Sequence, residues 1–375
     1  MRKFSAQYIF TNTGSPLKRG IITTDDNGLI INVEDTNGLL TEKNSVEFYN
    51  GIIVPGFVNC HCHLELSHLK GKIDEGKGLR YFIDQVIKQR DLDSYNNNIK
   101  KAADADAAMF KEGISLCADI CNNDSTFLIK KNSSIKYINL LETFGLDSAK
   151  AQNKIDSIIK VAEASANMNI QYNLVPHAVY STSLALFRRL KQLGHTNRVT
   201  SIHFMETESE IELLASKVGI VKNHTVAILN EITSSGNLIL VHNTFINKKI
   251  LRSINTRRNL FLCLCPASNI YIEKKLPPVY MLKEETGNIV IGTDSLASNK
   301  KLNILEELKI LQHNFPAIAF EELIKWATIN GAIALGEEKK FGAIEPGKKP
   351  GLILISEIDL ENMKLRPDSF VTRLI

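Results

Sequence analysis

The stretch VPGFVNCHCHLEL, Val54 to Leu66, alternates cysteine and histidine at Cys60, His61, Cys62 and His63. Imidazole and thiolate are common ligands of transition metals, so metal-assisted chemistry is the first to consider. On a β-strand, residues two apart share a face and lie about 6.6–6.8 Å apart along it. His61 and His63 would then face one way, Cys60 and Cys62 the other. A single ion can be gripped by one pair, not by all four. A bare H-x-H pair is a weak signal alone. Neither C-x-C pair, Cys60/Cys62 or Cys263/Cys265, has the C-x-x-C spacing of a structural zinc knuckle.

Such residues need elements to position them. Short runs rich in Val, Ile, Leu and Phe recur at Ile53–Asn59, Ile114–Asp119, Lys136–Leu141, Ile170–Pro176, Arg198–Phe204, Asn237–Val241, Leu260–Cys265 and Asn288–Ile291. They lack polar alternation, as strands buried on both faces do. Amphipathic stretches lie between them, at Ala149–Ala166, Ser183–Leu193, Glu208–Leu229, Ile304–His313 and Phe320–Leu335. Eight strand–helix alternations fit an α/β (β/α)8 TIM barrel, with a doubly wound sheet as the alternative. Both chain ends read instead as short strands with turn signals, such as TTDDNG and EDTNG. The expected division is a small β-sandwich from residues 1–50 plus 340–375, beside a catalytic barrel over 51–339.

In a barrel of this type the active site lies at the C-terminal ends of the strands. His61 and His63 fall at the end of strand one, His177 of strand four, His203 of strand five with Glu206 after it, His242 of strand six and Asp294 of strand eight. Each has a plain structural reading. Asp294 in VIGTDS suits a helix N-cap, Glu206 suits a first helical turn, and His242 suits the core. Their joint placement at one end of the strands argues for a shared site. His195, His224 and His313 lie in helical or loop stretches and are read as surface or locally satisfied residues.

The chain has 375 residues, 44% hydrophobic and 23% charged, with a formal net charge of +4. This is an ordinary globular composition, long enough for a large domain and a small one. Basic residues form no block, so a nucleic-acid footprint is not indicated. The N-terminus MRKFSAQYIFTNTG has no apolar run of signal-peptide length, and no stretch is long enough to span a bilayer. A cytoplasmic location and six reduced cysteines are expected. A homodimer is compatible with the sequence.

VPGFVNCHCHLELS, VPHAVYSTS, SIHFMETESE, LVHNTF, CPASN, GTDSLASNKKLNILEEL and ATINGAIALG with FGAIEPGKKPGLILI resemble successive motifs of the amidohydrolase superfamily. The branch they resemble is the mononuclear deaminase and chlorohydrolase group. The resemblance covers nearly the whole chain and implies a metal-dependent hydrolytic enzyme. It implies that His61, His63, His203 and Asp294 bind one divalent ion, zinc or iron(II). Binuclear members carry a lysine on strand four, and IQYNLVPHAVY has none. Glu206 would be the general acid/base, and His242 would lie beside the reacting water. Asp294 would also take that water's proton. Pro350 and Gly351 depart from the family's usual G-K-x-A-D-L pattern, away from the catalytic residues.

HCHLELS with GLRYFIDQVIKQR is most similar to the aminodeoxyfutalosine deaminases. That implies substrate contacts at Glu65 and His177. It also implies conversion of 6-amino-6-deoxyfutalosine to futalosine and ammonia, a step toward menaquinone. Other aminated purine nucleosides or related N-heterocycles are the broader class. The main alternative is a hydrolase of the same architecture acting on a C–Cl bond or a cyclic amide. A non-catalytic scaffold and a pure nucleoside-binding protein are the readings outside enzymology.

Overall fold

A computed structural model describes residues 1–39, 45–208, 210, 236–254 and 259–375. The first part of the chain builds β1 (Arg2–Ile9), β2 (Leu17–Lys18), β3 (Ile21–Thr24), β4 (Ile30–Glu34) and β5 (Val46–Pro55). The last part adds β14 (Leu352–Asp359) and β15 (Lys364–Arg373). These seven join in one sheet, ordered β15-β14-β5-β1-β3-β4 with β2 on β1. The two ends do come together, but the pairing among the described residues is one continuous sheet where two facing sheets were expected. Phe4, Ala6, Ile9, Ile22, Ile53, Ile344 and Leu352 form its apolar cluster.

Eight parallel strands follow: β6 (Phe57–Cys62), β7 (Ile114–Cys121), β8 (Lys136–Thr143), β9 (Tyr172–Pro176), β10 (Val199–Phe204), β11 (Asn237–His242), β12 (Leu260–Leu264) and β13 (Ile289–Ile291). They pair in two sheets of four, β6-β7-β8-β9 and β10-β11-β12-β13. The sheets meet at both edges. At one seam Thr293 N and Asp294 N both donate to the His61 carbonyl at 3.0 Å. At the other, His203 N donates to the His177 carbonyl at 2.9 Å. Every residue of β6 and β7 is buried, which explains their unbroken apolar runs.

The intervening helices show why the sequence folds this way. Helix Ala151–Asn167 buries Ala151, Ile155, Ile158, Ala162 and Ser165, a three-and-four spacing that makes one apolar stripe. Ser183 and Asn303 cap their helices by accepting from Leu186 N and Glu306 N.

Two expectations change, and a third falls outside the described residues. The run Ile53–Asn59 is two strands: β5 ends at Pro55 in the terminal sheet, and β6 begins at Phe57. Gly56 makes the turn, where an added Cβ would stand 2.6 Å from the Pro350 carbonyl oxygen. The stretch Phe320–Leu335 is two helices, Phe320–Ala327 and Ile329–Ala334, divided at Thr328 with its extended φ of −137°. The helix expected over Glu208–Leu229, with His224 inside it, lies outside the described residues apart from Glu208 and Glu210. No helix among the described residues is long and apolar enough to cross a membrane.

Candidate metal centre and active site

The Cys-His alternation does not follow a plain two-residue period. Asn59 pairs with Cys117 and Cys62 with Asp119, so β6 spends three residues where β7 spends two. That extra residue is a β-bulge, a device that re-aims side chains. It sends the cysteines to different places. Cys60 packs in a cluster with Val58, Cys263 and Cys265, and Cys62 packs in another with Cys117 and Phe57. The expectation that both share one face against the helices is therefore corrected, for the bulge lies between them. Both remain fully buried thiols.

His61 and His63 do converge. Their Nε2 atoms are 3.1 Å apart. Asp294 Oδ1 lies 3.6 Å from His61 Nε2 and 3.4 Å from His63 Nε2. His61, His63 and His203 each bring a donor atom within 4.8 Å of the others, and so do His61, His242 and Asp294. A tetrahedral ion with Zn–N bonds of about 2.0–2.1 Å spaces its ligands about 3.4 Å apart, so these gaps suit one cation. Burial pushes His63 and His242 down to about 3 and His203 well below its ordinary value, so these imidazoles are neutral. Neutral imidazole is the ligating form.

The neighbours hold these candidate ligands in place. His203 Nδ1 donates to the His177 carbonyl at 2.9 Å, which leaves its other nitrogen free to ligate. Ser268 and Ser298 each donate a hydroxyl to Asp294 Oδ2 at 2.6 Å. Burial alone would raise the Asp294 carboxyl, but the rings of His61, His63 and His242 outweigh it and hold it well below the usual carboxylate range. Three strand ends turn through left-handed backbone, at Met205 (φ 50°), His242 (φ 74°) and Asp294 (φ 56°). Such conformations cost about 1–3 kcal/mol each and cluster where a side chain must be aimed against backbone preference.

Glu206 is 5% exposed, and its Oε1 lies 3.6 Å from His242 Nε2. Burial, then the charges of Asp294, Glu210 and Glu273, push its carboxyl well above the ordinary range. Its acid form is therefore held to higher pH than an ordinary carboxyl's, and it faces a neutral imidazole. Both ring nitrogens of His242 lack hydrogen-bond partners in the chain, although the residue is buried. Unsatisfied buried groups of this kind mark a place where a ligand supplies the missing bonds.

His177 sits against His203 with ring centroids 4.6 Å apart and pairs with Ser181 through Nδ1. Glu65 lies in the 3-10 turn Leu64–Leu69 that follows the histidine pair. Its oxygens are engaged: Oε2 accepts from Asn122 N at 3.1 Å, and Oε1 stands 3.4 Å from Arg90 Nη2. His195 is locally satisfied, with Nδ1 at 2.9 Å from the Gln192 carbonyl.

Two acidic residues that the sequence reading does not single out also belong here. Asp119 Oδ1 accepts from Leu64 N at 2.7 Å and its Oδ2 forms a buried ion pair with Lys130, anchoring the turn after His63. Glu142, the penultimate residue of β8, lies beside His177 and His203. Strand-end position is the signal that identifies it. The apolar run that marks this strand stops at Leu141, one residue short of it.

The amidohydrolase family pattern matches residues 52–372. A 5-methylthioadenosine/S-adenosylhomocysteine deaminase of Thermococcus onnurineus is 27% identical over 335 residues, covering 84% of this chain and 76% of that protein. The crystal structure of Helicobacter pylori aminofutalosine deaminase with methylthio-coformycin superposes with a TM-score of 0.77 at 21% identity, covering all of both chains. A zinc-bound adenosine deaminase from Xanthomonas campestris gives a TM-score of 0.80 at 21% identity, covering 97% of this chain and 86% of that one. With its pattern matched across most of its length, this chain belongs to the amidohydrolase family.

Proposed function

We propose that the protein is a metal-dependent hydrolytic deaminase of an aminated purine nucleoside or related N-heterocycle. The observation that carries this reading is a buried Glu206, its carboxyl pushed up by burial, 3.6 Å from His242 and beside the His61, His63, His203 and Asp294 cluster. His61, His63, His203 and Asp294 would hold one divalent ion, zinc or iron(II). An ion there lowers the pKa of a water toward neutrality.

The chain's own groups then do the proton work. Asp294 takes a proton from the attacking water. Glu206 gives a proton to the ring nitrogen next to the carbon attacked. His242 hydrogen-bonds the oxygen as charge builds on it. Return of the water's proton to the amino group lets ammonia leave. His177 and Glu65 would line the substrate side. Departure of chloride would not need an acid like Glu206, which favours deamination over dehalogenation.

The architecture that serves this chemistry is a closed (β/α)8 barrel over residues 51–339, beside the sheet built from 1–50 and 340–375. One apolar cluster drawing on all eight parallel strands, from Val58 to Val290, supports closure. The chemical class of the relatives supports a nucleoside substrate. The specific candidate is 6-amino-6-deoxyfutalosine, acting in the cytoplasm on a route to menaquinone. Ammonia release should be measured against adenosine, 5-methylthioadenosine, S-adenosylhomocysteine and aminodeoxyfutalosine. Release from at least one is expected. No release from any, with turnover of a haloaromatic or a cyclic amide, would overturn the reading.

A further inference from the structure

Glu142 is a buried carboxyl that the chemistry above leaves unused. Asn122 Nδ2 donates to its Oε2 at 3.1 Å and to its carbonyl at 3.3 Å. Its other oxygen, Oε1, accepts no hydrogen bond from the chain, although the residue is only 4% exposed. An unpartnered buried carboxylate oxygen is costly, so a partner from outside the chain is called for. His203 Nδ1 is 3.7 Å from Oε1 but already donates to the His177 carbonyl. Glu142, His177 and His203 each bring one atom within 4.8 Å of the others, so the unpartnered oxygen, 3.7 Å from His203 Nδ1, stands in the same sector as His177. Glu65, the other carboxyl of this sector, has both oxygens engaged.

We propose that Glu142 Oε1 accepts a hydrogen bond from a hydroxyl of the sugar attached to the purine, making Glu142 the residue that selects nucleosides over free bases. This rests on the reading of the protein as a purine-nucleoside deaminase. Burial pushes the Glu142 carboxyl up to about 7, and its ionised form, the one a donor from outside would favour, is an acceptor only. The free ring nitrogens of an aminated purine nucleoside are acceptors too. Its amino group is a donor but sits at the reacting edge, where Glu206 works. The donors left for a second carboxylate are the sugar hydroxyls. Asn122 fixes Oε2, so Oε1 is aimed before substrate arrives, and little ordering is lost on binding.

Calorimetric Kd values for adenosine and for 9-methyladenine, which keeps the ring and lacks the sugar, test this on metal-loaded protein. Glu142→Gln should reduce the preference for adenosine over 9-methyladenine by at least about ten-fold, the scale of a hydrogen bond to a charged group. Equal weakening of both ligands would overturn the proposal, because Glu142 would then be acting through His203 or the fold. Wild-type protein that binds both equally would also overturn it. If Glu142→Gln does not fold, Asn122→Ala takes its place, with the same loss of preference expected. Ammonia release by wild-type protein is read in parallel. A nucleoside preference that depends on Glu142 without ammonia from any purine supports the sugar contact and sinks the deaminase reading alone.

Discussion

Replacing His61 or His63 with alanine should remove more than about 90% of bound metal, measured by elemental analysis, because each supplies one of few donors to the cluster. Cys60→Ala and Cys62→Ala should keep it, since both thiols pack in apolar clusters. Glu206→Gln should lower kcat by about 10²–10⁴-fold, the usual worth of a positioned acid. The sign of the pH dependence follows from burial, which raises the Glu206 carboxyl. The acid form is held to higher pH than an ordinary carboxyl's and is lost as pH rises through the raised pKa. The wild-type kcat profile should therefore fall on its alkaline side, and the glutamine variant should lack that limb. At this scale much was legible. His61, His63, His203, Glu206, His242 and Asp294 are named by strand-end position and resemblance, and the structure brings them together. The bulge between Asn59 and Cys62 was not, because an extra residue is a property of pairing with β7, which one strand's sequence does not encode.

Among the elements, the seam between β6 and β13 leaves little room. An added Cβ at Gly292 would lie 2.8 Å from His61 Cβ, 2.9 Å from Cys263 Sγ and 3.0 Å from Cys265 Sγ. Gly292→Ala should therefore destabilise by about 1–3 kcal/mol, the range for overpacked cores. A thermal melt reads that loss, and metal content should fall with it as His61 is displaced. Seven of the eight expected parallel strands start and end within a few residues of their observed limits, since fully buried runs announce themselves by composition. The exception is Ile53–Asn59, where one apolar run serves two sheets. Burial looks the same in either, so composition could not mark the break at Gly56. Thr328 likewise interrupts a helical pattern whose apolar spacing carries straight through it.

In the whole molecule, Arg373 ties the terminal sheet to the eight-stranded part. Its guanidinium donates to the Phe110 and Ile114 carbonyls at 2.7 and 2.8 Å and lies 4.0 Å from the Phe110 ring centroid. Arg373→Ala should cost about 1.5–3 kcal/mol, as lost hydrogen bonds to a charged group do, seen as a lower melting temperature with metal content retained. Nothing in the tail's composition points to that role. It depends on a contact with residues 259 and 263 positions earlier in the chain.

That distance along the chain bears on the order of assembly. Asn59 and Thr293 are 234 residues apart, yet the Asn59 amide donates to Thr293 Oγ1 at 2.7 Å and its carbonyl accepts from Thr293 N at 3.1 Å. A ribosome must release everything from Asn59 to Thr293 before the two can meet, so this seam forms only after β7 to β12 have emerged. Closing so long a loop is entropically slow, and contacts of this span retard folding. An ion that bridges the two ends would act as a clasp on the youngest contact. Stripping it with a chelator should speed amide hydrogen exchange at Thr293 and Asp294 before it does so in β7 or β8.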